Sequence, residues 1–534
     1  MKKTLSAKID GREMTDSEII DAILENREIE NIESFLRPST DNLIPFEELS
    51  GLDEAYNIIT NTINNNGRFL VYFDQDCDGI SAGTIMTRYL KAMDANVASY
   101  IGQGKAHGLQ SLPLTEIQGI DTLIIVDSIN DDVSLYEAIL DLDVTIIVLD
   151  HHIIPRALIE SNIDITLVSC MNDYPNPSLS GSAVTWKMVA YIDYMNLTDY
   201  ADNLMDLAAS GLVGDMMDLS VPENRYICYE GFNRLNNLAL KKIIGSYAFN
   251  AESVSYSIAP LINACVRTNQ NITAMKMFLS DDEYEVAEFI SRAKYAKEEQ
   301  KNMVDDLIGD LLEQGDSQLD KKCKVFFIPE EYRNLSGLLG NKLADVYQSP
   351  VLVVHPNNDN NLISGSMRAI GTKNFSAMIN ETGFAEAKGH ENASGFECCE
   401  DVFDMFLATI ETQLEDVEFE TEVVADIELT PEQINENLIR QLSVLNRISG
   451  NGFPSITVMV RSNNYTVNTM SGGKHSKYVD SNTGLLMVSW NDTTWKDTPK
   501  NVCLTGIGTV SKVHYGKNNY LQLTMNDYDF DTTK

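Results

Sequence analysis

The chain has 534 residues, long enough for several domains at ~150 residues each. Its hydrophobic content of 43% and charged content of 22% are those of a folded globular protein, and no apolar run reaches the ~20 residues that would span a bilayer. Forty basic and 79 acidic side chains give a net charge of −39, which excludes a uniformly basic nucleic-acid binder but not a local basic groove.

Residues 1–45 are polar, with a short amphipathic helix predicted over Asp16–Leu24. The opening Met1-Lys2-Lys3-Thr4-Leu5 lacks the apolar stretch of a signal peptide. From 46 to 245, helical and apolar-strand patterns alternate. Helices are predicted over Leu52–Asn64, Ala82–Ala92 and Val133–Ile139, and strands over Phe69–Phe73, Val97–Ile101, Leu123–Val126 and Val144–Leu149. Such alternation predicts a parallel sheet covered on both faces. Residues 270–315 read as helices, Ile272–Phe278 and then Tyr284–Glu313, the second spanning ~45 Å and long enough to join two lobes. Strands return at Lys324–Ile328 and Val351–Val354 around a helix at Gly337–Val346, a smaller α/β lobe ending near Glu415. The acidic run Gln413–Glu432 reads as a solvated linker or helix face. Short strands at Ile456–Val460, Leu485–Trp490, Val502–Gly506 and Tyr520–Met525 fit a small β-barrel. The eight cysteines are scattered without a CxxC ladder, as expected of free thiols in a reducing cytosol. Cys77 is assigned to packing.

Four of the apolar runs end in an acid or an imidazole. Phe69–Phe73 leads into Asp74-Gln75-Asp76-Cys77-Asp78-Gly79, Leu123–Val126 into Asp127, Val144–Leu149 into Asp150-His151-His152, and Ala208–Gly214 into Asp215. Ligands of open α/β sheets bind beyond the carboxyl ends of the strands. Four strand ends would gather Asp74, Asp76, Asp78, Asp127, His151 and Asp215 around one point. Carboxylates with one imidazole suit manganese or magnesium. The donors are too many for one ion, and Asp127 is placed to bridge two. Such a pair generates hydroxide and stabilises both attacking and leaving oxygens of a phosphoester. Strand-end acids also cap following helices, which accounts for any one of these acids better than for the set.

The ordered motifs resemble the DHH phosphoesterase superfamily, and within it the RecJ branch of single-strand-specific exonucleases. The resemblance runs from Phe35-Leu36-Arg37-Pro38 to Leu521-Gln522-Leu523. It includes the Asp74–Gly79, Asp127-Ser128 and Asp150-His151-His152 motifs, Leu179-Ser180-Gly181 and Gly214-Asp215. Further on, it includes Ile258-Ala259-Pro260, Asn263-Ala264, Arg267, Gly365-Ser366-Met367-Arg368 and Gly389–Gly395. It implies an α/β fold with four parts: an N-terminal segment and parallel-sheet DHH domain over 1–255, a helical connector over 256–318, a smaller DHH-associated substrate-binding domain over 319–415, and an OB-type nucleic-acid-binding β-barrel over 416–534.

It also implies roles. His152, with Asp150, would be catalytic beside two divalent cations, manganese preferred or magnesium. Arg267, Ser366 and Arg368 would hold a terminal 5′-phosphate, and Gly389 and His390 would lie against the strand. Lys474 and Lys477 would contact phosphates in the barrel, with Tyr465, Tyr478 or Trp490 as stacking surfaces. The implied activity is metal-dependent hydrolysis of single-stranded DNA from its 5′ end to mononucleotides, RNA being open. Protein partners of that activity would be a single-strand-binding protein or a helicase, in the cytoplasm and away from membranes. The rival activities are a phosphodiesterase for short oligonucleotides or cyclic dinucleotides and, in another class, an inactive RecJ-like scaffold. The chain departs from the family pattern at Ser128-Ile129, which replaces a Cys-Gly pair, and at Tyr332-Arg333-Asn334, which replaces a Trp-His pair. Near Tyr100–Lys105 an expected arginine is missing, and Lys105 is the nearest cation.

Overall fold

The computed structural model describes residues 2–103, 108–357, 361–493, 498, 502–515 and 518–531; Lys105 lies outside them. Strand β1 (Lys2–Asp10) and helix α1 (Asp16–Asn26) open the chain. Thr15 starts α1 through a capping box with Glu18.

The first lobe follows as α2 (Leu52–Asn64), β2 (Arg68–Phe73), α3 (Cys77–Ala92), β3 (Asn96–Ile101), β4 (Thr122–Val126), α4 (Val133–Leu140), β5 (Thr145–Asp150), β6 (Thr166–Ser169), α5 (Gly181–Asn196), α6 (Met205–Gly214) and α7 (Pro222–Asn233). Its five strands are all parallel, in the order β3-β2-β4-β5-β6. Val71, Ile124 and Ile147 point into one apolar core, and Leu70, Ile125 and Val148 into the other. The strands are therefore buried on both sides, as parallel strands require. The chain leaves β2 towards β3 on one side and returns to β4 on the other. That switch point is where an open parallel sheet offers a crevice.

One expected strand is a helix. Ala208–Gly214 lies within α6, and Asp215 is its C-cap. A short apolar run buried on all sides carries no periodicity by which to separate strand from helix. Here nearly every α6 side chain is buried.

Helices α8 (Ala259–Arg267), α9 (Asn271–Leu279) and α10 (Glu283–Asp316) connect the lobes. The 34 residues of α10 span ~51 Å. Val286, Ile290 and Ala293 pack into the first lobe, and Val304 and Leu311 into the second. The second lobe contains β7 (Lys324–Phe327), α11 (Ser336–Tyr347), β8 (Val351–Asn357), β9 (Leu362–Arg368), β10 (Ala385–His390), β11 (Ala393–Cys399) and α12 (Phe403–Leu414). Its sheet runs β10-β11-β9-β8-β7, with α11 over one face and α12 over the other.

The last segment supplies β12 (Glu420–Leu429), α13 (Glu436–Asn446), β13 (Val458–Ser462), β14 (Tyr465–Met470), β15 (His475–Asp480), β16 (Leu486–Ser489), β17 (Cys503–Tyr515) and β18 (Asn518–Asp531). They join β1 in one eight-stranded mixed sheet, β1-β12-β13-β17-β18-β16-β15-β14. The strands expected for the OB-type barrel belong, among the described residues, to a sheet that has β1 and β14 as its outer strands. The acidic run is not simply a solvated linker. Its second half is β12, in which Ala425, Ile427 and Leu429 face the core and Asp426 pairs with Arg27 at 2.8 Å.

The start of the chain packs with this sheet rather than with the first lobe. β1 pairs in parallel with β12 from Lys2↔Glu420 to Asp10↔Glu428, and Ile19, Ile23 and Leu24 of α1 share a core with Ile427, Leu438 and Phe453. Arg225 of α7 ties these parts to the first lobe. It is buried, donates to Phe35 O at 2.7 Å and Ile448 O at 3.1 Å, and lies 3.5 Å over the Phe35 ring. All eight cysteines are free thiols, and no helix among the described residues is long and apolar enough to cross a membrane.

Candidate metal centre and phosphate cleft

The acids meet because β2, β4 and β5 end side by side. Asp74 follows β2, and Asp76 caps α3, its Oδ1 accepting the N–H groups of Asp78 (2.9 Å) and Gly79 (3.0 Å). Capping is thus real for Asp76, and it fixes one oxygen of that side chain. Asp78, inside the first turn of α3, accepts the Ser182 N–H on Oδ1 at 3.1 Å. Asp127 leaves β4 with a left-handed backbone, φ 56°. Its side chain packs so closely on Gly181 that a Cβ there would lie 2.6 Å from both Asp127 Cβ and Oδ1, which accounts for glycine at the start of α5.

His151 and Asp215 close the cluster. His151 Nε2 lies 3.2 Å from Asp127 Oδ1, 3.3 Å from Asp215 Oδ2 and 4.0 Å from Asp78 Oδ2. His151 Nε2 thus points into the acids. Potential ligand atoms gather within 4.8 Å in three groups: Asp74, Asp76 and Asp127; Asp78, His151 and Asp215; and Asp127, His151 and His152. Asp127 and His151 each belong to two of them, so the donors describe two adjoining positions.

A divalent cation fits this set. Asp78 Oδ2, Asp127 Oδ1 and His151 Nε2 are buried with no hydrogen-bond partner. Buried polar atoms left without partners are costly and need an explanation. Burial, and then the fields of Asp78, Asp76 and Asp74, pushes the Asp127 carboxyl well above the usual carboxylate range. Burial also lowers His151. Oxygen donors with one neutral imidazole are the chemistry of manganese or magnesium. Cys77, directed away, has its Sγ 3.7 Å from Ser210 O and packs as expected.

Asp150 sits behind this cluster. Its Oδ2 accepts Ile129 N–H at 2.6 Å, and its Oδ1 accepts His152 N–H at 2.6 Å and faces His152 Nδ1 at 2.9 Å. That last bond pushes the half-exposed His152 up to about 9, while burial opposes it. Ser128, one of the departures, donates to Asp74 Oδ1 at 2.9 Å and accepts Gly108 N–H at 3.0 Å.

A second feature is a cleft of about 580 Å³ between α8 and the second lobe. Arg267, Ser366, Arg368 and Lys388 all line it. Strand register explains the convergence. Ser364, Ser366 and Arg368 alternate onto one face of β9, opposite Glu397, Gly395 and Ala393 of β11, which in turn oppose Glu386, Lys388 and His390 of β10. The small side chains of β9 and β11 keep this floor open. Arg368 is anchored by Nε to Asn341 Oδ1 and by Nη1 to Met367 O, both at 2.7 Å. Burial, and then the charge of Arg368, depresses Arg267. Two half-buried guanidiniums lining one cleft offer paired donors suited to an anion. His390 shares the floor's face by register, although neither it nor Gly389 lines the cleft. Gly389 needs its φ of 140°, and a Cβ there would lie 3.0 Å from Ser394 Cα.

The residue patterns alone miss the opposite wall. Arg333, Asn334 and the first turn of α11, from Ser336 to Leu338, line the cleft, and Ser336 Oγ meets Ser366 Oγ at 2.9 Å. α11 runs on directly from the turn Glu330–Leu335, and its first N–H, that of Ser336, bonds Arg333 O. The one sequence signal for this wall is the departure at Tyr332-Arg333-Asn334. Lys474 and Lys477 lie elsewhere, in the turn before β15 and on β15, beside the edge strand β14. Tyr478 is fully buried and cannot stack on a base, Tyr465 packs edge-on against it, and Trp490 is exposed beside His475.

Residues 68–212 match the DHH family, N-terminal domain. The chain is 26% identical over 462 residues, 79% of this chain and 78% of the other, to the putative SPbeta prophage-derived single-strand DNA-specific exonuclease YorK of Bacillus subtilis. It is 27% identical over 377 residues to the single-stranded-DNA-specific exonuclease RecJ of the same organism, covering 68% of this chain and 47% of that one. The crystal structure of RecJ in complex with Mn2+ from Thermus thermophilus covers all of this chain and 80% of its own, at 20% identity and a TM-score of 0.81, a likeness of fold.

Proposed function

We propose that this chain, which carries a DHH-family domain in a RecJ-like fold, is a divalent-metal-dependent exonuclease that shortens single-stranded DNA from its 5′ end. The observation that carries the reading is the convergence of Asp74, Asp76, Asp78, Asp127, His151 and Asp215 with buried, unsatisfied donor atoms among them. Asp74, Asp76 and Asp127 would hold one cation and Asp78, His151 and Asp215 the other. Bound there, a pair of divalent cations, manganese by preference or magnesium, supplies activated water and neutralises charge on the phosphate oxygens.

The chain's own residues do the rest. Arg267, Ser366 and Arg368 grip the terminal phosphate and so fix which phosphodiester is presented. His390 and the Gly389 turn lie along the strand, and Lys474 and Lys477 bind phosphates further from the end. Asp150 occupies His152 Nδ1, so His152 turns Nε2 to the substrate and holds a proton there for the leaving 3′-oxygen. Water adds to phosphorus as the bond to that 3′-oxygen breaks. A mononucleotide departs, and the shortened strand carries a new 5′-phosphate for the same cleft.

Support for a strand as substrate comes from the relatives' single-strand-specific activity and from a terminal sheet that a dinucleotide would not need. Digestion of a 5-mer and a 50-mer, single- and double-stranded, tests this. The single-stranded 50-mer should be degraded fastest per enzyme. Preference for the 5-mer would favour a short-oligonucleotide phosphodiesterase, and no hydrolysis of any strand with manganese present would favour an inactive scaffold.

A further inference from the structure

The cleft holds more positive charge than Arg267 and Arg368 supply. Arg333 also lines it, from the turn Glu330–Leu335 that leads into α11. The Ser336–Ser366 hydrogen bond ties the end of that turn to the floor that carries Arg368. Arg333, exposed, therefore stands at the rim of the cleft that the half-buried Arg267 and Arg368 also line.

The three guanidiniums are held differently. Arg368 spends two of its donor groups on Asn341 and Met367 O. Arg333 is 62% exposed, and its acidic neighbour is Glu330 on the same short turn, with Nη1 and Oε1 3.6 Å apart. That separation exceeds the 2.7–2.9 Å of a strong charge-assisted bond. An exposed pair of this kind contributes little, so moving Arg333 off Glu330 costs little. An ordinary surface arginine in a chain of net charge −39 would be surrounded by acids. This one lines a cleft with two other guanidiniums and Lys388, against two carboxylates, Glu386 and Glu397.

We infer that Arg333 is a specificity-determining residue for the 5′ end: it closes over the terminal phosphate from the rim and completes a three-guanidinium grip with Arg267 and Arg368. The inference rests on the terminal-phosphate reading above and adds a residue that the family pattern does not supply. A terminal monoester carries up to two negative charges, where an internal diester carries one. Arg267 and Arg368, half-buried and close enough that the charge of one lowers the other, bind the dianion at some cost in lost hydration and mutual repulsion. A third, more exposed and weakly tethered, adds charge at a smaller cost. Its contribution should therefore appear as discrimination between a phosphorylated and a hydroxyl end, and in KM more than in kcat.

The test compares 5′-phosphorylated with 5′-hydroxyl 20-mers on the manganese-loaded wild type, Arg333→Gln, Arg333→Lys and Arg368→Met. Arg333→Gln should lower kcat/KM on the phosphorylated strand about five- to tenfold, as expected for one partly exposed charged hydrogen bond, mostly through KM. The hydroxyl strand should change less than about twofold. Arg333→Lys should recover part of the loss, because charge is restored without the fork. Equal losses on both strands, or none, would overturn the inference and make Arg333 a general or solvated charge. The Arg368→Met arm separates the two levels. If that substitution erases the preference for a phosphorylated end and Arg333→Gln leaves it intact, only the role of Arg333 fails. If the wild type has no such preference, the terminal-phosphate reading fails with it.

Discussion

Replacing Arg368 with methionine isolates a single charge. Methionine keeps an unbranched apolar stem beside Gly340, whose Cβ position is 3.0 Å from Arg368 Cγ, and removes the guanidinium. Nε and one N–H of Nη1 are already committed to Asn341 and Met367 O, which leaves the other Nη1 N–H and Nη2 for an incoming phosphate. One charge-assisted hydrogen bond is worth ~1.5–3 kcal/mol. At 1.4 kcal/mol per decade, kcat/KM on a 5′-phosphorylated strand should fall roughly ten- to a hundredfold. Asn341 loses a partner, but Arg267 loses a repulsive neighbour, so the melting temperature without substrate should change little or rise. The assay is initial-rate digestion of 5′-phosphorylated and 5′-hydroxyl strands, with manganese binding measured in parallel. Loss confined to the phosphorylated strand, with unchanged metal binding, is the expected result. An equal loss on both would refute the argument that this side chain reads the end.

Asp127→Asn should abolish hydrolysis and weaken manganese binding, yet raise the melting temperature in EDTA. Asp127 is buried among like charges, its folded-state pKa is raised, and its ionised form therefore destabilises the metal-free fold at neutral pH. A lower melting temperature would contradict this. Ser128→Ala should weaken manganese affinity severalfold, measured by calorimetry, because Asp74 loses the 2.9 Å bond that orients it; unchanged affinity would show that Asp74 is held without it. Lys474→Ala with Lys477→Ala should weaken binding to a 50-mer more than to a 5-mer and lower the salt slope, measured by fluorescence anisotropy. Arg225→Met should destabilise the fold by ~1–3 kcal/mol per buried carbonyl left unpaired, read from denaturant midpoints, with metal affinity unchanged. Truncation before residue 425 should give an unstable protein rather than a trimmed enzyme, as judged by thermal melting, because it strips β1 and α1 of their partners.

The cluster was readable because a buried parallel strand is a short apolar run, and the residue that ends it stands at the rim where ligands bind. Asp74, Asp127 and His151 follow that rule. Asp215 was identified through a strand that is a helix: the C-terminus of α6 reaches the same place by another route. Asp150 was expected to be catalytic with His152; in the structure both its oxygens are taken, by Ile129 N–H and by His152, so it acts by holding His152. β1 pairing with β12 leaves no local signal, because the partners are more than 400 residues apart. The acidic composition of β12 concealed a period-two pattern. The wall made by Arg333 and α11 was missed for the same reason: its partners, Ser366 and Arg368, are neighbours only through the fold of the second lobe.

The most direct test of the central claim is digestion of one 5′-phosphorylated single strand, labelled at the 5′ end in one sample and at the 3′ end in another, with manganese or with EDTA. The account predicts that, with manganese, the 5′ label appears at once as a mononucleotide while the 3′ label persists on shortening strands, and that EDTA abolishes both. Release of the 3′ label first, or undiminished hydrolysis in EDTA, would contradict it.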